Sequence, residues 1–373
     1  MPTRRQFIRQ LSIAGSLGLI ASTGLNPLGA FAAGDDDGFM PDESERQRHA
    51  WLAFGAQEAI WEDFTGDVQE ALGRIARAIA RFQPLTVLCR AEERELAEEL
   101  CGGNNVRFIE TPLDDIWMRD IGANFLVTEG DAGLTAMDFN FNGWGNKQRH
   151  GQDARVAALM ARDAGARHVR SELVGEGGGI EVDGQGTGIM TESCWVNENR
   201  NPGWSRAQVE EELKACLGLR KIIWLPGVRG KDITDAHVDF YARFVRPGVV
   251  VANLDTDPGS YDHEVTRRHL EILQSATDAD GRKLEVHLLS PPLKPRRNRF
   301  SRDNPDFAAG YINYFVINGA VIMPQFGDAG ADRKARELLE ALYPDREVVA
   351  LDIDAIAAGG GGIHCVTHQL PWA

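Results

Sequence analysis

Val316-Ile317-Asn318-Gly319-Ala320 reads as two β-branched arms around a tight turn, the pattern of a hairpin. It recurs upstream as Val127-Thr128-Glu129-Gly130, Val182-Asp183-Gly184-Gln185-Gly186 and Val245-Arg246-Pro247-Gly248-Val249. Amphipathic segments alternate with these turns. Val68, Leu72, Ile75, Ile79 and Phe82 fall at helical spacing, as do Val156, Leu159, Met160 and Ala164, then Val209, Leu213, Cys216 and Leu217. Further helices are expected over about 264–276 and about 332–343. Five helices alternating with strand pairs define a ββαβ unit that recurs every fifty to ninety residues, roughly, too long a period for a solenoid. Such a chain folds either as a five-part α/β assembly or as an ordinary open α/β sheet.

The chain has 373 residues, 43% of them hydrophobic, enough for a buried core. Its formal net charge of −15 argues against nucleic acid as a partner; it either concentrates cationic small molecules or serves solubility alone. At the N-terminus, Thr3-Arg4-Arg5-Gln6-Phe7-Ile8 precedes an apolar run from Leu11 to Leu25 and a small-x-small site at Ala30-Phe31-Ala32. Paired arginines before a glycine-containing apolar run resemble a twin-arginine export signal over residues 1–32, with 33–37 as a linker and 38–373 as a single domain. The run is short for a membrane span and is broken by Ser22, Thr23, Gly24 and Pro27, so no stable membrane insertion is expected. The expected location is the periplasm or outside the cell. Homo-oligomerisation stays open.

Five cysteines, Cys89, Cys101, Cys194, Cys216 and Cys365, are an odd count with no zinc spacing. At least one is free or pairs between chains, and a Cys89–Cys101 bridge stays open. Cys216 lies on an apolar helical face, as a core thiol does.

Four clusters crowd titratable groups among glycines and aromatics rather than on solvated faces. They are Leu113-Asp114-Asp115-Ile116-Trp117-Met118-Arg119-Asp120-Ile121-Gly122, Glu176-Gly177-Gly178-Gly179-Ile180-Glu181-Val182-Asp183-Gly184, Thr234-Asp235-Ala236-His237-Val238-Asp239 and Gly359-Gly360-Gly361-Gly362-Ile363-His364-Cys365. Consecutive glycines let a backbone crowd a small ligand, and a thiol at the end of such a loop can act as a nucleophile; the competing reading is a small buried apolar group. His237 and Asp239 would share one face of a strand. Half a metal site is the rival for that pair, but His263, His269 and His287 lie in unrelated contexts, so no metal is expected. Asp120 next to Arg119 is equally readable as a structural ion pair. Gly184-x-Gly186-x-Gly188 lacks the strand-to-helix context of a nucleotide loop and reads as a hairpin.

Together these blocks resemble the agmatine deiminase family, which is grouped with bacterial peptidylarginine deiminases. W-M-R-D, E-G-G-x-I, T-D-G-H-V-D and G-G-G-x-I-H-C are its pattern, and the likeness continues through Gly38-Phe39-Met40-Pro41, Phe141-Asn142-Gly143-Trp144-Gly145, Tyr311-Ile312-Asn313 and Pro324-Gln325-Phe326-Gly327. The resemblance implies a five-bladed α/β propeller, the pentein fold, with its active site on the central axis. It implies Cys365 as nucleophile, His237 as acid and base, Glu176 as the carboxylate partner of His237, and Asp120 and Asp239 as a guanidinium clamp. Trp117 and Trp144 would line the aliphatic stem, although aromatics are more often core. The implied reaction is cofactor-free hydrolysis of agmatine to N-carbamoylputrescine and ammonia. Peptidyl arginine, or amidino transfer to another amine, is the alternative. Arg149, Arg243 or the stretch Lys294–Arg299 would anchor a carboxylate if free arginine were bound. Two positions depart from the pattern. Ala236 replaces a glycine, which matters only if φ is positive there, and Gly362 stands where a polar residue is common and would loosen the loop.

Overall fold

Each hairpin expected from the sequence opens a small mixed sheet. Asn124–Val127 pairs antiparallel with Leu134–Asp138, Glu181–Val182 with Thr187–Thr191, Ala242–Arg246 with Val249–Asn253, and Phe315–Ile317 with Ala320–Gln325. In each case a helix follows and returns the chain to a parallel third strand, at Arg167–Arg170, Lys221–Leu225, Glu285–Leu289 and Glu347–Asp352 respectively. The computed structural model describes residues 38–128 and 133–373; the expected export signal, the linker and the tip of the first hairpin lie outside the described residues.

The fifth unit has no hairpin. Its antiparallel pair joins the two ends of the chain, Gln47–Phe54 with Thr367–Pro371, and Leu85–Cys89 and Val106–Glu110 add in parallel to make four strands. Four turns but five sheets are therefore the signature of a ring closed by its termini. The result is a five-bladed α/β propeller rather than an open sheet.

The helices form where the stripe demands. In Thr65–Ala80 the buried Val68, Leu72, Ile75 and Ile79 face the sheet, while Phe82 falls in the turn beyond. Burying each such side chain contributes about 1.5–3 kcal/mol relative to exposure. Arg206–Leu217 starts at a capping box, with the Ser205 hydroxyl accepting from the Gln208 N–H and the Gln208 side chain returning to the Ser205 N–H, and ends at Gly218 with φ 67°. His263–Ser275 and Ala329–Leu342 lie where helices were expected. Arg94–Cys101 is an additional helix of the closing unit, between Leu85–Cys89 and Val106–Glu110.

Cys89, Cys101, Cys194, Cys216 and Cys365 are all buried and free, so the structure contains no Cys89–Cys101 bridge. The Gly184-x-Gly186 segment is a hairpin turn with φ of 68° and 87° at its glycines, and Asp183 closes it by accepting from the N–H groups of Gln185 and Thr187.

One regularity places the site. Asp120, Glu176, Asp239, Asn313 and Cys365 each lie within a few residues of the start of their blade's first strand, so one entry segment per blade supplies the centre.

Candidate active site

Asp120 sits in the single helical turn Met118–Ile121. Its Oδ2 accepts from the Trp144 indole at 2.9 Å and its Oδ1 from the Gly178 N–H at 3.1 Å. The Arg119 N–H donates to the Cys365 carbonyl at 3.0 Å, tying this turn to the thiol loop. Burial raises the Asp120 carboxyl to about 6, against the opposing pull of His237.

His237 is not on a strand. It precedes the 3-10 turn Val238–Phe240, which carries Asp239, so the shared-strand-face expectation fails although both side chains are buried at the centre. The His237 Nε2 lies 3.1 Å from Glu176 Oε2, and its Nδ1 lies 3.6 Å from Asp120 Oδ1. Nδ1 has no hydrogen-bond partner among the described residues. Burial opposes the imidazolium, but Asp120, Cys194 and Glu176 together hold the His237 pKa well above its ordinary value.

Glu176 is fully buried. Arg200 Nε lies 2.9 Å from both its carboxylate oxygens, and the Cys194 thiol donates to Oε2 at 3.7 Å. Burial alone would raise this carboxyl; Arg200 and His237 bring it down to about 2. Glu176, Cys194 and His237 offer donor atoms within 4.8 Å of one another. The Arg200 guanidinium already serves as cation for that carboxylate, and its charge opposes a divalent ion there.

The Cys365 sulfur lies 3.7 Å from Asp239 Oδ2, the oxygen that also faces His364 Nδ1 at 2.8 Å. The Cys365 N–H donates to Asn313 Oδ1 at 3.3 Å. Burial, then Asp239 and Asp120, raise the thiol well above its ordinary range. The Asp239 carboxyl is lowered: burial works against ionisation but His364, His237 and Arg243 outweigh it. Its Oδ1 is buried with no partner among the described residues.

Behind the thiol, Glu43 accepts from Arg243 at 2.8 Å and from Arg119 at 3.0 Å, and lies 2.8 Å from the His364 Nε2. Arg119 also reaches the Gln369 side chain, so it braces the loops rather than pairing with Asp120. Glu181 accepts from Arg243 and from the Phe244 N–H and belongs to this inner network.

A cavity of about 700 Å³ opens onto the centre, with Trp117, Asp120, Trp144, His237 and Cys365 in its wall. Glu176 and Asp239, both 0% exposed, do not line it. The glycine run crowds aromatics: a Cβ at Gly359 would overlap Trp61, and one at Gly361 would overlap Trp117, while both indole N–H groups donate to Asp115. Ala236 has φ 71°, so the missing glycine does matter. At Gly362 a Cβ would overlap the Asn313 side chain, so this packing leaves no room for the polar residue common in the pattern.

None of the expected carboxylate anchors reaches the cavity wall. Arg243 is committed to Glu43 and Glu181, and Arg149 pairs with Asp114. Lys294–Arg299 also lies off the wall; within it, Arg296 pairs with Asp354 and Arg299 with Asp67. Arg200, Cys194, Asn313 and Glu43 are central residues that escaped the sequence reading as site groups. Asn313 was visible only as part of a motif, and the only signal for Arg200 is its placement in the Asn199-Arg200-Asn201 turn.

Five ββαβ blades around a buried thiol, imidazole and carboxylate cluster define a pentein propeller. The profile of the Porphyromonas-type peptidyl-arginine deiminase family matches residues 39–371, and the chain belongs to that family. A relative from Streptomyces avermitilis is 42% identical over 347 residues, spanning 90% of this chain and 98% of its own. The agmatine deiminase of Pseudomonas aeruginosa (strain LESB58) is 36% identical over 358 residues, spanning 90% and 96%. The solved agmatine deiminase of Enterococcus faecalis superposes with a TM-score of 0.84 at 32% identity, covering 90% of this chain and 96% of that one. A dimethylarginine dimethylaminohydrolase at 13% identity and TM-score 0.52 shares the fold.

Proposed function

We propose that this protein is a cysteine-dependent deiminase that hydrolyses agmatine to N-carbamoylputrescine and ammonia. The observation that carries the reading is the wall of the cavity, where the Cys365 thiol, the unpartnered Nδ1 of His237 and the Asp120 carboxylate meet. A guanidinium is planar, cationic and a poor electrophile, so its carbon reacts only when carboxylates fix it by charge-assisted bonds. Asp120 takes one edge. Asp239, whose Oδ1 has no partner among the described residues, is the second carboxylate of the clamp. The Cys365 thiol gives up its proton to solvent as the cation arrives, and the resulting thiolate attacks the guanidinium carbon. His237, charged beside Glu176, gives its proton to the departing ammonia, and the S-alkylthiouronium remains. As base, the same imidazole takes one proton from water, whose oxygen adds to that carbon; the C–S bond then breaks to return the thiolate, and the remaining hydroxyl proton leaves to solvent or to the ammonia as the ureido carbonyl forms. No step draws on a cofactor.

The far end of the ligand supports agmatine over arginine. Asp232, Asp255, Asp257, Asp262 and Asp306 line the cavity, and none has an Arg or Lys nitrogen within 4 Å among the described residues. The lysines in the same wall are Lys147, committed to Asp235 at 2.6 Å, and Lys231. Such a wall suits an ammonium and repels a carboxylate. Agmatine, free arginine and an arginine peptide offered in parallel test this, with ammonia and ureido product measured. Turnover of agmatine alone is the expected result; a preference for the peptide would favour the alternative reading, and turnover of none would refute both. Amidino transfer would appear as guanidinylated amine without ammonia.

The paired Arg4-Arg5 and the apolar run behind them support export of the folded protein. Fractionation of a host producing the full chain, with and without Arg4→Lys and Arg5→Lys, tests it.

A further inference from the structure

We propose that Arg200 is a positioning residue for the acid–base step, acting through Glu176 to hold His237 as the proton-carrying group. Resting on the deiminase reading above, this assigns a role to a residue that touches neither cavity nor substrate. The geometry carries it. Arg200 has a side chain 0% exposed and bridges two blades: its Nε bonds Glu176, just ahead of the strand Glu181–Val182, and its Nη groups bond Asp235 Oδ2 at 2.9 Å and the Thr234 carbonyl at 2.8 Å, in the loop leading to His237. One guanidinium thus fixes both the histidine's partner and the loop presenting the histidine.

The electrostatics follow from who faces whom. Glu176 meets Arg200, His237 and Cys194; His237 meets Glu176, Asp120 and Cys194, with Asp239 close by; Arg200 meets Glu176, Asp235 and Cys194, and Asp235 is shared with Lys147. Without Arg200, Glu176 is a buried carboxylate with only His237 to balance it. It then competes for the histidine's proton, and the proton needed by the leaving ammonia is shared. With Arg200, Glu176 stays anionic and the proton stays on the imidazole, towards the cavity. The same positive charge sets a limit: it keeps the imidazolium from being stabilised so far that the histidine fails as base for the water step.

The test is the pH dependence of kcat at saturating agmatine, where bound substrate holds Asp120 ionised. Arg200→Gln is expected to lower kcat about 100-fold with little change in KM. Both limbs should move to higher pH by about one unit or more, since Glu176 then protonates more readily and the imidazolium loses its proton less readily. Arg200→Lys keeps the charge, so its limbs should stay at wild-type positions while part of kcat returns. Unmoved limbs in Arg200→Gln would overturn the assignment.

If Arg200→Gln does not fold, the cycle of Arg200→Lys with Glu176→Gln decides. The losses should be strongly non-additive if Arg200 works through Glu176, and additive losses refute it. Full activity in Cys365→Ala or His237→Asn would instead sink the underlying deiminase reading.

Discussion

The sulfur of Cys365 lies 3.7 Å from Oδ2 of Asp239, and that oxygen is simultaneously 2.8 Å from the imidazole of His364. The proposed nucleophile and a jaw of the proposed clamp therefore share one site of negative charge. In the free protein this keeps the thiol protonated, because desolvation and the two aspartates all penalise a thiolate. An arriving guanidinium cancels the aspartate contribution. Thiolate absorbance near 240 nm, titrated with and without an unreactive guanidinium ligand, is expected to show the Cys365 pKa falling on binding. An unchanged value would refute the coupling between substrate charge and thiolate formation.

Asp120 supplies a pH dependence of opposite origin. Its folded carboxyl stands at about 6, raised by burial, so the carboxylate proposed to clamp the substrate exists above that pH and is lost below it. KM for agmatine should rise as pH falls through about 6, while kcat at saturation changes less, because the bound cation keeps Asp120 ionised. Asp120→Asn should raise KM above about pH 6 to the wild type's low-pH level and abolish the dependence. A KM flat between pH 5 and pH 8 in the wild type would contradict the clamp.

Glycine 178 tests how closely the centre is set. A Cβ there would stand 2.5 Å from His237 Nδ1 and 2.7 Å from Asp120 Oδ1, nearer than any real contact. Gly178→Ala must push one of the pair aside. Displacement of about 1 Å costs on the order of 100-fold in rate. The expected outcome is a variant with native far-ultraviolet dichroism and kcat/KM lowered by about that factor. Activity within threefold of wild type would show that the pair tolerates movement.

Most of the architecture was legible because hairpin turns and helical stripes are local patterns, and Val316–Ala320 or Val68–Ile79 carry them in a few residues. The closing blade was not, since Gln47–Phe54 and Thr367–Pro371 meet across the whole chain and no turn marks them. The site divides in the same way. Cys365, His237 and Asp120 lie in glycine-rich or aromatic blocks and meet at the cavity wall. Arg200 carries no such mark, for its importance lies in joining residues 24 and 35 positions away. The reading of His237-x-Asp239 as a strand failed for a conformational reason. Asp235 and Ala236 take positive φ of 61° and 71°, which turns the chain out of any extended run before His237.

Glu43 is expected to be the most costly single carboxylate to remove. It neutralises Arg119 and Arg243, side chains 3% and 1% exposed, and also takes the Val316 N–H at 2.9 Å. The network holds His364, and through it Asp239, against the back of the thiol. Deleting the carboxylate leaves two guanidinium groups buried, with Glu181 still paired to Arg243 and Gln369 still bonded to Arg119. Breaking a buried ion pair from one side costs about 3–5 kcal/mol, far more than an exposed pair contributes. Glu43→Ala should therefore lower urea stability by about that amount. Glu43→Gln, which keeps an acceptor but not the charge, should cost less. Both should reduce activity even where the protein remains folded, since the orientation of Asp239 depends on His364. A loss below about 1 kcal/mol for Glu43→Ala would place this network with surface pairs in energy, whatever its burial.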